Sequence, residues 1–250
     1  LTVNIHNIIT DEHFDFYSLL IDKSGDFWIA LNSGLYKYHQ GELSLIDKTS
    51  EDKYLISWMD ENQLIIAQPE GISILDVNSL KSEIIYKNKE SNSFLASSLF
   101  HDKNQNKLWI GTFSNGLFSF DFNSESLSHI LPSSFPKQPI LDIEKSSDST
   151  LLIGVDGQGI WELNKFDNQL LNVYKEIADD PYSLPGNGVY DILYDPGKRI
   201  WVCTISGGVS YYELAVPLVN QIVHRANDSN SLVNNNVNSI IEDRDGKFWF

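Results

Sequence analysis

Cysteine is nearly absent from this sequence, and the single residue present, Cys203, excludes an intramolecular disulfide framework. No Cys/His grouping has zinc-ligand spacing, so Cys203 reads as a small buried strand residue. Basic residues are scarce too: 18 Lys and Arg stand against 34 Asp and Glu, for a formal net charge of −16. A nucleic-acid surface needs clustered cations and is excluded, and an anionic membrane would repel the chain. No apolar run approaches the ~20 residues of a membrane span, and the opening residues form neither a basic n-region nor an apolar h-region. Any export or anchoring signal is therefore expected outside these 250 residues. What the sequence has is bulk. With 42% hydrophobic and 12% aromatic residues it can bury a sizeable core, as one large all-β domain or two smaller ones.

Self-comparison decides between these. Gly25-Asp26-Phe27-Trp28-Ile29-Ala30, Asn106-Lys107-Leu108-Trp109-Ile110-Gly111, Lys198-Arg199-Ile200-Trp201-Val202-Cys203 and Gly246-Lys247-Phe248-Trp249 are each a turn followed by a Trp-bearing strand. Two further copies carry aliphatics instead, at Leu64-Ile65-Ile66-Ala67 and Leu151-Leu152-Ile153-Gly154. The anchors 28, 65, 109, 152, 201 and 249 are spaced by 37, 44, 43, 49 and 48 residues. Such a period belongs to a propeller blade. Six or seven residues after each complete anchor a glycine opens a second hairpin, as at Gly34-Leu35-Tyr36, Gly71-Ile72-Ser73, Gly116-Leu117-Phe118, Gly159-Ile160-Trp161 and Gly208-Val209. A β-rich run precedes each anchor, and a fourth follows the glycine, as in Glu83-Ile84-Ile85-Tyr86 and Asn220-Gln221-Ile222-Val223.

Four strands per unit, repeated, predict an all-β propeller of four-stranded antiparallel blades, about five of them complete. A lone blade has two apolar faces and needs a neighbour on each, so the recurrent Trp is expected to pack between blades. Blades are expected over residues 10–48, 49–89, 90–136, 137–178 and 179–227. Residues 1–9 read as the fourth strand of a preceding blade and 228–250 as the start of the next, so a fragment of a larger propeller is expected.

The run Leu108-Trp109-Ile110-Gly111-Thr112-Phe113-Ser114-Asn115-Gly116-Leu117-Phe118-Ser119-Phe120-Asp121 resembles the two-component regulator propeller repeat. So does the lead-in from Asn230-Ser231-Leu232 to Asp243-Arg244-Asp245-Gly246-Lys247-Phe248-Trp249. The likeness extends over essentially the whole chain, although the second and fourth repeats lack the Trp. Such repeats occur in extracytoplasmic sensor regions of bacterial hybrid two-component systems, where tandem propellers precede a sandwich domain, a membrane helix and a histidine kinase. The resemblance implies an oligosaccharide or other small ligand, a periplasmic or extracellular location, and a non-enzymatic region. It also implies as partners the remaining blades, downstream signalling domains of the same protein and a second copy in a homodimer, with the membrane met only through segments outside this sequence.

Enzymatic readings need placed side chains. A polysaccharide lyase or glycosidase, the alternative to a sensor, needs paired carboxylates or a His/Glu set. Glu70, Asp156, Asp179 and Asp180 are candidate acids, but acids also populate solvated turns. His6, His13, His39, His101, His129 and His224 share no repeat position, so neither a metal nor any other cofactor is expected. Asp243-Arg244-Asp245-Gly246 lacks the downstream ligands of a calcium loop and reads as a hairpin turn. Asn227-Asp228-Ser229 fits a glycosylation acceptor. A protein-docking propeller is a third reading.

Loops between second and third strands, and those leading into each blade, converge on one face of a propeller. The first set offers Asn32, Gln68, Glu70, Phe113, Asn115, Asp156, Gln158 and Ser206; the second offers Tyr182, Asn187, Asn234 and Asn235. Amides with a few aromatics and acids suit a polyhydroxylated ligand, which is bonded at its rim and stacked on its faces. Asn and Asp are also ordinary turn formers.

Overall fold

In the computed structural model, the residues described are 15–48, 55–88, 95–130, 137–180, 182–195, 198–205, 207–213, 224, 227–234, 241–242 and 248–249. They form antiparallel strands with no helix among them, arranged as five blades of a β-propeller. The first blade runs β1 (Phe16–Ile21), β2 (Phe27–Leu31), β3 (Gly34–His39) and β4 (Glu42–Asp47). The second has β5 (Leu55–Trp58), β6 (Gln63–Gln68), β7 (Gly71–Asp76) and β8 (Lys81–Lys87). The third has β9 (Ala96–Asp102), β10 (Lys107–Thr112), β11 (Leu117–Asp121) and β12 (Ser126–His129). The fourth has β13 (Ile140–Lys145), β14 (Thr150–Val155), β15 (Gly159–Asn164) and β16 (Leu170–Tyr174). Each is a four-stranded meander in chain order. The fifth shows β17 (Val189–Tyr194), β18 (Arg199–Thr204) and β19 (Gly208–Glu213); a further hairpin pairs β20 (Ile241–Glu242) with β21 (Phe248–Trp249). The strands expected over 1–9 and 220–223, and the turn at 243–246, lie outside the described residues.

The first strands of successive blades lie side by side, β1 against β5, β5 against β9, β9 against β13 and β13 against β17. Side chains on these strands bridge the blades. The Ile56 N–H donates to Ser18 Oγ at 3.1 Å, Ser98 Oγ donates to the Ile140 carbonyl at 3.0 Å, and the Ile192 N–H donates to Asp142 Oδ2 at 2.7 Å.

The core sits between the sheets. On β6, Leu64 and Ile66 pack toward blade one while Ile65 and Ala67 pack toward blade three, which is why the strand is apolar without alternation. The anchor tryptophans hold equivalent places on β2, β10 and β18. Trp28 and Trp109 are sealed between blades, at 0% and 1% exposure. Trp201 departs from the expected burial. It is half-buried on the outer face of blade five, its ring tilted against Tyr211 at 5.0 Å, beside the exposed Leu193 and Val209. Cys203, on the same strand, is also half-buried.

Two positions on from each anchor stands a small residue: Ala30, Ala67, Gly111, Gly154 or Cys203. At Gly111 the reason is contact, since a Cβ there would collide with Ser98 Oγ and come within 2.5 Å of Ile140 Cγ2 of the next blade. Gly159 meets a different demand. Its φ of +78° is left-handed, and a Cβ would strike the Tyr174 carbonyl.

The aspartate six residues before the Trp caps the first hairpin. Asp22 Oδ2 accepts the Trp28 indole N–H at 3.2 Å, and Asp195 Oδ2 accepts that of Trp201 at 2.8 Å. Lys37 and Arg199 lie over the two indoles, 5.1 and 5.4 Å from the ring centroids. The Trp201 N–H, with the Arg199 backbone and guanidinium, holds the Asp195 carboxyl down to about 2. In blade three the hairpin is one residue longer, Asp102 pairing with Lys107. There Asp102 Oδ2 accepts from Lys165 of blade four at 2.6 Å, and Trp109 Nε1 is buried with no acceptor among the described residues.

Candidate ligand-binding face

One backbone hydrogen bond recurs and fixes which ends of the blades share a face. The residue after the second strand donates to the chain entering the first strand: Asn32 to Asp15 (3.0 Å), Phe113 to Leu95 (3.1 Å), Asp156 to Pro139 (3.0 Å) and Ile205 to Gly188 (2.7 Å). Second-to-third-strand turns and blade lead-ins therefore lie together, as the repeat geometry requires.

Within that face the candidates differ in how they are held. Asn32 Oδ1 accepts the Asp15 N–H at 3.1 Å, so its amide clamps the lead-in. The Glu70 carbonyl accepts the Asn88 N–H at 2.8 Å, and its side chain is exposed, as Gln68 is in part. Asn115 is exposed and tied within its own blade: its N–H donates to Thr112 Oγ1 at 3.0 Å and its carbonyl meets His129 Nε2 at 2.8 Å. Phe113 is half-buried beside it.

Asp156, Gln158 and Asn187 are brought together between blades four and five. The Gly159 N–H donates to the Asn187 carbonyl at 2.9 Å, and Asn187 Oδ1 accepts the Glu176 N–H at 2.9 Å. Gln158 Oε1 accepts from Lys175 Nζ at 3.3 Å, and Asp156 Oδ1 lies 3.8 Å from where a Cβ on Gly188 would stand. This rim carries amide, carboxylate and ammonium groups, all able to bond hydroxyls. Tyr182 is exposed nearby in sequence, and its carbonyl accepts the Tyr212 hydroxyl at 3.0 Å. Asn234 is exposed; Ser206 and Asn235 lie outside the described residues.

The acids weighed for catalysis are mostly turn elements. Asp180 accepts the Tyr182 N–H on Oδ1 at 3.0 Å and the Ser183 hydroxyl on its carbonyl at 2.8 Å. Asp228 does the same for Asn230 (2.9 Å) and Ser231 (2.8 Å), one repeat later. Asp179 precedes the first turn at φ +64°. The shared pattern, Asp-x-x-Ser-Leu, is a turn signal that the sequence itself carries, and it also assigns Asp228 of the glycosylation motif to a turn. His39 meets Asp26, and His224 meets the Leu232 carbonyl at 2.6 Å; His6 and His13 are outside the described residues. Among the described residues no three His, Cys, Asp or Glu side chains group as metal ligands.

A cluster the sequence did not reveal lies on the first strands. Burial pushes the Asp142 carboxyl up to about 7, reinforced by the charges of Asp191 and Glu144 and opposed by the Ile192 N–H. Burial raises Glu144 as well. Two cavities lie away from the loop candidates, one between the outer parts of blades four and five, the other lined by Asp22, Lys23, Trp58 and Asp60 near the first hairpins.

The family model described as two component regulator propeller matches residues 183–206 and 231–250, each match opening on the Ser that closes an Asp-x-x-Ser-Leu turn. Over these two segments, less than a fifth of its length and not the whole chain as the resemblance implied, the chain is similar to the two-component regulator propeller repeat. No curated protein sequence matches it. Among solved structures, the extracellular domain described as that of the hybrid two component system BT4673 of B. thetaiotaomicron aligns at 16% identity with a TM-score of 0.59, over 96% of this chain and 37% of its own. That of BT3049 from the same organism aligns at 16% identity and TM-score 0.56, over 100% and 40%. PorZ, a surface component of the type-IX secretion system of Porphyromonas gingivalis, aligns at 12% identity and TM-score 0.56, over 78% and 31%. At these identities the likeness is one of fold. The chain spans about two fifths of the length of the two hybrid-system domains. No helix among its described residues is long and apolar enough to cross a membrane.

Proposed function

We propose that this chain forms part of the extracellular ligand-sensing region of a hybrid two-component protein, and that it recognises an oligosaccharide without chemically changing it. The observation that carries the reading is the conjunction of regulator propeller repeats with the polar rim of Asp156, Gln158 and Asn187. Sugar hydroxyls both donate and accept, and this rim supplies partners of both kinds, with the exposed Tyr182 as a stacking surface. Occupancy would favour one arrangement of the neighbouring domains, and a histidine kinase elsewhere in the parent protein would read that change. Further blades, the downstream signalling domains and a second copy of the chain are the partners this reading requires.

The test is calorimetry of the protein against a panel of glycans, run beside a hydrolysis assay. Binding without turnover is expected. Asn115→Ala combined with Gln158→Ala should weaken it by about 1–3 kcal/mol, at roughly 0.5–1.5 kcal/mol per lost hydrogen bond, with the unfolding midpoint unchanged. Turnover that disappears in Asp156→Asn would make the protein an enzyme, and a panel with no binder would refute the glycan ligand.

A further inference from the structure

The interfaces between blades fill the same volume in different ways, and one of them leaves it open. Between blades one and two, and between three and four, the anchor indoles Trp28 and Trp109 occupy it. Blade two has Ile65 at the anchor, but a chain of rings closes the gap: Tyr86 against Phe120 at 5.6 Å, and Phe120 against Phe122 at 5.2 Å. Blade four has Leu152 at the anchor. The rings at the positions of Tyr86 and Phe120 are there Tyr174, paired with Ile160, and Tyr212, paired with Ile200.

Those two phenols are held at the margin. The Tyr174 hydroxyl donates to Glu162 Oε2 at 2.8 Å, and the Tyr212 hydroxyl donates to the Tyr182 carbonyl at 3.0 Å. A cavity of about 420 Å³ results, floored by Leu152, Ile160, Leu184, Ile200 and Val202. Its polar margin is Glu162 and the hydroxyl cluster in which Ser146 and Ser147 each meet Thr150 Oγ1 at 2.6 Å. The volume is that of a small-molecule site, and apolar cavities of this kind take up flat hydrocarbon rings in preference to water.

We propose that this inter-blade cavity is a binding site for a small, uncharged, planar aromatic molecule bearing one N–H or O–H donor, the chemistry of indole or phenol. The missing anchor indole sets the shape. Tyr174 and Tyr212 offer ring faces and edges, and Glu162 or Thr150 accepts the donor. Glu162 at the margin and the net charge of −16 select against carboxylates. A sugar is a poor match, because five aliphatic side chains would face its hydroxyls. None of the loop-face candidates lines the cavity, which adjoins that face through Leu184 and through the Tyr212 hydroxyl on the Tyr182 carbonyl.

The test is calorimetric titration of the protein with indole and with phenol, and with cyclohexanol as a puckered control of similar size. Saturable one-to-one binding of an aromatic probe is expected, with cyclohexanol at least about tenfold weaker. Leu152→Trp should fill the cavity from within and weaken the aromatic probe by at least about tenfold. If that variant does not fold, Ile200→Phe narrows the cavity from the opposite wall and should do the same. Asn115→Ala with Gln158→Ala should leave aromatic binding unchanged. The proposal is overturned by absence of saturable binding up to millimolar probe, by equal affinity for cyclohexanol, by undiminished binding to a folded cavity-filled variant, or by loss of binding in the loop-face variant.

Discussion

Asp102 and Lys165 pin blade three to blade four, and breaking that pair one partner at a time is a direct test of how the blades are held. Each residue is only 4% exposed, and Lys165 Nζ lies 2.6 Å from Asp102 Oδ2. Lys165→Met leaves a buried carboxylate, but Asp102 Oδ1 still accepts the N–H groups of Asn104 (3.0 Å) and Gln105 (3.3 Å). The cost should therefore fall near the lower end of the ~3–5 kcal/mol seen when one member of a buried pair is removed. Asp102→Asn keeps an oxygen for those two donors and leaves the ammonium facing a neutral amide, so its cost belongs near the upper end. With both changes together neither charge is stranded, and the remaining loss is about 1–2 kcal/mol of packing and hydrogen bonding. The double-mutant cycle should then show a coupling of at least about 3 kcal/mol, hardly altered by 1 M salt, since a buried pair is poorly screened. Equilibrium unfolding in urea of the four proteins at low and high salt measures it. Costs that add to within about 0.5 kcal/mol would show that the charges do not act as a pair, and the pin would have to be abandoned.

Trp109→Ala should cost about 3–5 kcal/mol, the range for emptying a buried aromatic site, and Asn115→Ala less than about 1; equal denaturation midpoints would contradict the inter-blade role of the indole. Gly111→Ala drives a methyl into Ser98 and Ile140 and should cost about 1–3 kcal/mol; a variant as stable as the parent would mean the blades can separate there freely. Asp142 titrates near 7 when folded, against an ordinary 3.8, so the folded state holds its proton more tightly. Its favourable contribution is complete below about pH 4 and is lost as pH rises to 7, at up to about 1.4 kcal/mol per pH unit. Asp142→Asn should flatten that part of the stability profile, the variant gaining on the parent until pH 7 and no further. Parallel profiles between pH 4 and 8 would show that the carboxyl stays ionised throughout.

Much of the fold was legible because a blade is a local object. Strand, turn, Trp strand and glycine hairpin follow one another within about fifty residues, and a side-chain period of two with turn residues between strands writes that pattern into the sequence. Blade stacking then places the loop candidates on one face whatever their identity, but that Asp156 and Gln158 meet the lead-in residue Asn187 came only from the folded chain. Sequence alone did not determine what crosses from blade to blade. The Asp102–Lys165 pair joins residues 63 apart, and it displaced the Asp–indole bond because one hairpin gained a residue. Trp201 holds the same place in its repeat as Trp109 but does not share its burial, since burial is conferred by the neighbour and not by the strand. The carboxyl of Asp142 is raised by its burial, with the charge of Asp191 a blade away adding to it, and the cavity beside Leu152 depends on where two phenols find hydrogen-bond acceptors. Periodicity fixes each blade, because its strands bond to their sequence neighbours; charge pairs, perturbed acids and empty volume arise where two blades meet, and their partners are set only when the chain has folded.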